Sequence, residues 1–178
     1  MDTGEHIVRM AAYNAMMNQN MYAAAAQLSA SALYDDRGAF FGSVFGTLNH
    51  LAAADTIWLT RFSRHPAHQP ALDGMRLAAP LSTLTAPLAA DLAGLLAVRY
   101  SLDRTIVEWA AALTPAHLGT TLEYANMKGV VAHKNYASLI LHFFNHQTHH
   151  RGQASTLLAQ SGIDIGVTDL LLLISNEV

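Results

Sequence analysis

The residues of this chain that could do chemistry are concentrated near its C-terminal end. Four histidines fall within nine residues, at His142, His146, His149 and His150, inside an apolar pattern typical of a helix. Because His146 and His150 are four residues apart, a helix would place them one turn apart on the same face. At this spacing two neutral imidazoles can bind one metal ion. The segment therefore predicts half of a metal site.

A third histidine, His50, lies far upstream in another apolar stretch with helical periodicity. It shares one helical stripe with Thr47, Leu51 and Trp58, which predicts a half-buried position. Facing helices of a bundle pack about 8–10 Å apart, so imidazoles from two helices can reach the same ion. Three histidines and one open position are typical of a catalytic metal site. Taken alone, however, His50 is better explained as a structural residue of the core or rim.

The other histidines are expected to have different roles. His142 and His149 flank the predicted pair and are expected to orient the ligands or to lie at the surface. Five more are predicted to be solvated, because they lie near element ends or in loops: His6, His65, His68, His117 and His133.

Several kinds of active site are disfavoured by what the sequence lacks. A di-iron bundle needs inward glutamates, including Glu-x-x-His motifs, and none of the four glutamates precedes a histidine by three residues. The chain has no Gly-x-Ser-x-Gly elbow and no glycine-rich phosphate loop. It also has no cysteine, which excludes disulfides, thiolate zinc ligands and a cysteine nucleophile.

Length and composition narrow the class of protein. A chain of 178 residues is predicted to form one domain, residues 1–178. Its ten lysines and arginines are scattered and its net charge is -3, which argues against nucleic-acid binding. We expect no membrane span and no secretion signal, and we expect a cytoplasmic protein. With 52% hydrophobic and 13% charged residues, either a buried subunit interface or an alanine-rich core is indicated.

The hydrophobic pattern predicts an all-α fold, a four-helix bundle, with a small β-hairpin between the third and fourth helices. The predicted helices span residues 4–28, 40–62, 85–113 and 135–160, and the hairpin spans residues 121–133. A capped turn is predicted at 29–36, a loop at 65–80 and a final short helix within 168–175.

Three stretches of the chain resemble the DinB (DinB/YfiT-like) family of bacterial proteins. They are residues 40–51, residues 54–59 and residues 144–153, of which the last contains the specific His-x-x-x-His-Arg-Gly-Gln signature. Residues 162–164 and 167–170 are also similar, so that the resemblance covers nearly the whole chain. It implies a four-helix bundle, usually a homodimer, and a divalent metal ion, zinc or nickel, bound by His50, His146 and His150.

The resemblance also implies a chemistry. Related proteins include transferases that use low-molecular-weight thiols, although many members have no known activity. A metal ion held by three neutral histidines lowers the pKa of a bound thiol or water. Because the chain has no cysteine, a thiol would have to be a small-molecule cosubstrate. His142, Asn49 and Gln153 are candidates for groups that orient the ligands.

Three classes of function remain open from the sequence. The first is a metal-dependent enzyme, either a thiol transferase or, if water is activated, a hydrolase. The second is a non-catalytic, stress-related metal-binding protein. The third is a helical interaction module whose histidines are structural. The family name refers to damage-inducible expression and implies no contact with DNA.

Overall fold

The computed structural model describes residues 2–77, 81 and 83–176, and confirms an all-α four-helix bundle with a small hairpin. The four long helices are α1 (Thr3–Ala25), α3 (Val44–Phe62), α5 (Leu92–Ala111) and α7 (Tyr136–Ala159). Three short helices connect them: α2 (Ala30–Tyr34), α4 (Asp73–Leu77) and α6 (Pro115–Leu118). Strands β1 (Thr121–Ala125) and β2 (Val131–Asn135) form the antiparallel hairpin before α7. None of the described helices combines the length and apolarity needed to cross a bilayer.

Each long helix begins at a side chain that accepts a hydrogen bond from the first turn. Asp2 caps α1 and forms a reciprocal pair with Glu5, while Asn135 accepts from the backbone N–H of Ser138 at the start of α7. Ser43 caps α3 and Asp91 caps α5 in the same way. Such caps stabilise a helix by about 1 kcal/mol each, and so they select the starting residue.

Two predicted helix starts are wrong for this reason. The helix predicted from residue 40 begins at Val44, and the helix predicted from residue 85 begins at Leu92. In both cases the residues before the cap run as loop, and both loops approach the histidines. Apolar residues in these loops pack against the surface of the bundle, and their spacing resembles that of a helix. The hydrophobic pattern therefore did not show where each helix begins.

The remaining differences concern short elements. The first helix was predicted to reach residue 28 and ends at Ala25. The predicted turn at 29–36 contains α2, which Ser29 caps. The predicted loop at 65–80 contains a 3-10 turn (Pro70–Leu72) followed by α4, while its residues 78–80 lie outside the described residues. The short helix predicted within 168–175 is a 3-10 helix (Leu170–Leu173) that follows Asp169.

An aromatic cluster fills the end of the bundle nearest the hairpin. The rings of Phe62 and Trp109 stack at 5.2 Å, and Phe143 packs edge-on against both. The indole of Trp109 donates a hydrogen bond to the hydroxyl of Tyr136 over 3.1 Å. Large buried aromatic rings dominate the energetics of a core, and this cluster fixes α3, α5 and α7 against one another.

Gly46 allows the loop before α3 to lie directly on the first turn of that helix. A Cβ at this position would overlap the backbone carbonyl oxygen of Phe41. We therefore expect Gly46→Ala to lower the free energy of unfolding by about 1–3 kcal/mol, the usual cost of overpacking. The matched control is Gly152→Ala in α7, where nothing lies within 4 Å of the added Cβ. This control should gain about 0.5–1 kcal/mol in urea denaturation; equal effects of the two substitutions would contradict the expectation.

Candidate metal centre

Three histidines from two helices meet in the interior of the bundle. His50 comes from α3, while His146 and His150 come from successive turns of α7. Their ligand nitrogens all lie within 4.8 Å of one another, which makes them a group that could hold a metal ion. His50 and His150 are buried and His146 is half-buried. The structure thus brings together the three residues that the sequence singled out.

The ring of His50 is oriented by the loop before α5. Its Nδ1 lies 3.1 Å from the backbone carbonyl oxygen of Leu84. Asn49 holds that loop in place, since its amide donates to the carbonyl of Ala86 over 3.0 Å and accepts from the N–H of Leu88 over 2.9 Å. Asn49 therefore acts on the ligand through the loop rather than by touching an imidazole. A carbonyl oxygen only accepts hydrogen bonds, so Nδ1 of His50 carries the proton.

The ring of His150 is oriented within its own helix. Its Nδ1 lies 2.7 Å from Oε1 of Gln153, three residues further along α7. An amide oxygen also only accepts, so His150 too is protonated on Nδ1. Histidines that bind metal commonly donate their other ring N–H to such an oxygen, which fixes the tautomer and the ring orientation.

The two remaining nitrogens face each other. Nε2 of His50 and Nε2 of His150 are 3.3 Å apart, and with both Nδ1 atoms protonated each Nε2 presents a lone pair. Two buried lone pairs at this distance repel unless a cation lies between them. A proton or a metal ion between the two nitrogens would relieve this repulsion.

Burial disfavours the proton. Desolvation lowers the pKa of His50, with a smaller contribution from the nearby His150. Desolvation likewise lowers the pKa of His150, and it lowers the pKa of His146 to about 3, with further lowering from the neighbouring histidines. All three imidazoles are therefore neutral at pH 7, which is the form that binds metal.

The lowered pKa values predict how the metal-free protein responds to acid. A histidine that titrates near pH 6.5 when unfolded takes up a proton in the unfolded state first. The stability of the fold should therefore fall as the pH drops below about 6.5 and continue to fall toward the folded-state pKa, about 3 for His146. Urea midpoints of chelator-treated protein between pH 7.5 and 5 would measure this slope. His146→Gln should make the dependence of stability on pH less steep, whereas His149→Gln should leave it unchanged. Parallel slopes for the two variants would show that protonation of His146 does not cause the loss of stability.

Phe41 covers one side of the histidine cluster. Its ring stacks on His50 with centroids 3.7 Å apart and an angle of 16° between the planes, and it meets His150 edge-on at 5.5 Å. The loop reaches this position through a turn at Gly42, whose φ of 73° favours glycine. Phe41 thus supplies an apolar wall that keeps water from this face of the imidazoles.

The two flanking histidines lie at different distances from the cluster. His142 is exposed, with its ring centroid 6.1 Å from His146 and 5.1 Å from Trp58. Desolvation lowers the pKa of His142, and the charge of Arg61 lowers it further. His149 is exposed and meets His150 edge-on at 4.8 Å. Of the three candidates for orienting groups, Gln153 is thus the one that contacts a clustered imidazole by a hydrogen bond.

His65 corrects one sequence prediction. It was predicted to be solvated but is buried, because its Nδ1 accepts from the N–H of Ala67 and its Nε2 lies 2.6 Å from Oγ1 of Thr120. The contact with Thr120 connects the end of α3 to the residue that precedes β1. Of the other histidines predicted to be solvated, His68 and His133 are exposed, whereas His6 and His117 are half-buried.

A buried ionic network lies directly behind the cluster. Arg99 of α5 donates to Asp55 of α3 over 2.6 Å and pairs with Asp103 over 3.0 Å. Gln147 of α7 donates to the other oxygen of Asp55 over 2.8 Å, and Asn18 of α1 donates to Asp103 over 2.8 Å. The network therefore connects all four long helices.

Arg151 extends this network beside His150. It is buried, donates to the side-chain oxygens of Asn14 and Thr148, and lies over the ring of Tyr13. Its neighbours in sequence, His150 and Gly152, occupy other faces of α7. The network thus sets the rotation of α7, and with it the direction of both α7 imidazoles.

Sequence reasoning missed this network. The available signal was the presence of Asp55, Arg99 and Asp103 at positions that are otherwise apolar along α3 and α5. Charged residues are almost never fully buried unless they are paired. Two acids and one base at buried helical positions could therefore have been predicted to contact one another, although not which helices would supply the amides.

Of three comparisons with known proteins, one gave a match. The sequence model of the DinB family matches residues 1–177. No curated protein and no solved structure gave a match to the chain.

Proposed function

The chain belongs to the DinB family, and we propose that it binds one divalent metal ion, zinc or nickel, through His50, His146 and His150. The observation that carries the proposal is the pair of Nε2 lone pairs held 3.3 Å apart. Their Nδ1 atoms are already committed to the carbonyl of Leu84 and the amide of Gln153. Since burial disfavours a proton there, a metal ion is the cation that suits the space.

The distances suit such an ion. Zinc binds imidazole nitrogen at about 2.0–2.1 Å, so two nitrogens on one tetrahedral ion are about 3.3–3.4 Å apart. The observed separation of 3.3 Å between Nε2 of His50 and Nε2 of His150 matches this nitrogen–nitrogen distance. Imidazole also suits nickel, copper and iron, so the donor set favours no single metal on its own.

We propose further that the site activates a small-molecule thiol for transfer to an electrophile. A divalent ion supplies the Lewis acidity that lowers the pKa of a thiol or water at its open position. The protein itself has no cysteine and so offers no nucleophilic sulfur of its own. Its residues orient the imidazoles through Leu84 and Gln153, and Phe41 keeps one face dry.

Two alternatives remain within the same metal site. A hydrolase would use water in place of the thiol, and a non-catalytic, stress-related protein would only hold the metal. His146 is half-buried, so part of its surface is accessible to solvent. That access favours an enzyme over storage.

Two further proposals concern the state of the protein. The 52% hydrophobic composition supports a homodimer with an apolar subunit interface. The lack of cysteine suits a reducing compartment, and we place the protein in the cytoplasm. Sedimentation velocity at two concentrations tests the dimer directly.

Elemental analysis of untagged protein is the experiment that tests the metal site. We expect about one zinc or nickel per chain, released by chelator with a fall in melting temperature. The metal-loaded protein is then incubated with a small-molecule thiol and an alkylating electrophile, and the loss of free thiol is measured. No metal, together with no effect of chelator on melting, would contradict the site; metal without thiol consumption would favour the alternatives.

A further inference from the structure

A pocket of about 360 Å³ opens between α3 and the hairpin. Its polar lining comes from Arg61, Arg64 and Tyr124, and its apolar lining from Ile57 and Met127. This volume is in the range of small-ligand sites, which combine apolar walls with a few polar groups that fix orientation.

Arg61 is held in this pocket without an acidic partner. Its guanidinium lies 4.7 Å from the ring centroid of Trp58 and 5.1 Å from that of Tyr124. It is half-buried, and desolvation lowers its pKa. Within the part of the chain that the structure describes, no carboxylate lies within ion-pair distance of Arg61 or Arg64. The hairpin acid Glu123 instead lies 3.7 Å from His133.

An unpaired, partly desolvated guanidinium is costly unless a ligand supplies the missing charge. The aromatic rings fix its plane, which leaves its N–H groups for a planar anion. Arginine matches carboxylate and phosphate oxygens with two parallel hydrogen bonds. The chemistry of the pocket therefore suits a ligand with an anionic end and an apolar body.

A row of contacting side chains connects Arg61 in the pocket to the histidine cluster. Trp58 contacts His142 at 5.1 Å, and His142 lies 6.1 Å from His146. Ile57 lies two turns after His50, about 10 Å along the axis of α3. Arg61 bends back over Trp58 toward the cluster, as long side chains on helices do.

We propose that this pocket binds the anionic group of the substrate, a small carboxylate-bearing molecule whose other end extends past Trp58 and His142 toward the histidines. The inference rests on the proposed function for its reactive end. The anion-binding part of the proposal does not depend on a metal, since the groups that would bind the anion are Arg61, Arg64 and the ring of Tyr124.

The test is an NMR titration of the full-length protein with succinate, with succinamide as the uncharged probe of the same size. Chelator-treated and metal-loaded samples are titrated separately. We expect saturable shifts of the Trp58 indole and Arg61 Nε–H signals with succinate in both samples, and none with succinamide. Arg61→Gln should weaken binding roughly 10- to 100-fold, the loss expected for a charge-assisted pair.

Arg104→Gln is the matched control, because it removes the same charge from an exposed position of α5 outside the pocket. Succinate affinity should stay within about twofold of the original, as for surface charges generally. Equal shifts with succinamide, or equal losses in the two variants, would overturn the proposal. So would binding that requires metal and is indifferent to Arg61. If the protein binds succinate but holds no metal, the anion-binding pocket would be supported and the proposed function would be contradicted.

Discussion

His146→Ala is expected to purify without its divalent metal. Loss of one of three nitrogen ligands should weaken binding by well over the 10- to 100-fold that follows removal of a mere supporting group. His146 is the half-buried member of the cluster, so its truncation leaves the buried core intact. We expect the metal content, measured by elemental analysis, to fall from about one per chain to near zero while the helical circular dichroism is unchanged.

His149→Ala is the matched control for this experiment. It removes an exposed imidazole from the same turn of α7, and should keep the metal. Stoichiometric metal in the His146 variant, or loss of metal from both variants alike, would show that the ligands have been wrongly assigned. Replacing Gln153 by Glu preserves the oxygen beside His150 and should preserve the metal as well.

Arg99→Met is expected to cause the largest loss of stability. The substitution leaves Asp55 and Asp103 buried without their base, at exposed fractions of 1% and 6%. Breaking a buried ion pair from one side costs about 3–5 kcal/mol. A domain of this size is stable by roughly 5–15 kcal/mol, so the variant should unfold at much lower urea concentration. Equilibrium urea denaturation at pH 7.5 measures the change.

Two comparisons separate this cause from general damage. Arg104 lies five residues after Arg99, on the exposed face of α5. Arg104→Met should shift the free energy of unfolding by less than about 0.5 kcal/mol. Adding Asp55→Asn and Asp103→Asn to Arg99→Met should recover part of the loss, because no buried charge is then left unpaired. An unfolding midpoint equal to that of Arg104→Met would refute the account.

The histidine cluster could be predicted from the sequence because two of its three members lie on the same helix. The four-residue spacing of His146 and His150 fixes their shared face as soon as the helix forms, whatever the helix packs against. His50 required a tertiary assumption, that α3 faces α7 at the right height. An apolar helical stretch distinguished His50 from the histidines near element ends and in loops, and the family resemblance then implied it as the third ligand. Neither observation predicted at which level of α7 His50 would lie.

The groups around the cluster could not be predicted in the same way. Leu84 contributes a backbone carbonyl, and no side-chain pattern marks which carbonyl will face a ring. Phe41 was expected inside a helix, whereas the N-cap at Ser43 makes α3 begin at Val44, after Phe41. His65 was expected in solvent because it follows a helix, but its burial depends on Thr120, which lies in a distant part of the chain. These features depend on tertiary contacts, which local periodicity does not encode.

The contact between His50 and His150 also determines when, during synthesis of the chain, the histidine cluster can form. The two residues are 100 positions apart in the chain. At a synthesis rate of about 5–20 residues per second, roughly 5–20 s separate their appearance on the ribosome. During that interval the nascent chain contains α1, α3 and α5 but only one of the three imidazoles. A metal ion that needs all three can therefore be acquired only after α7 has been made and docked, as one of the last events in maturation.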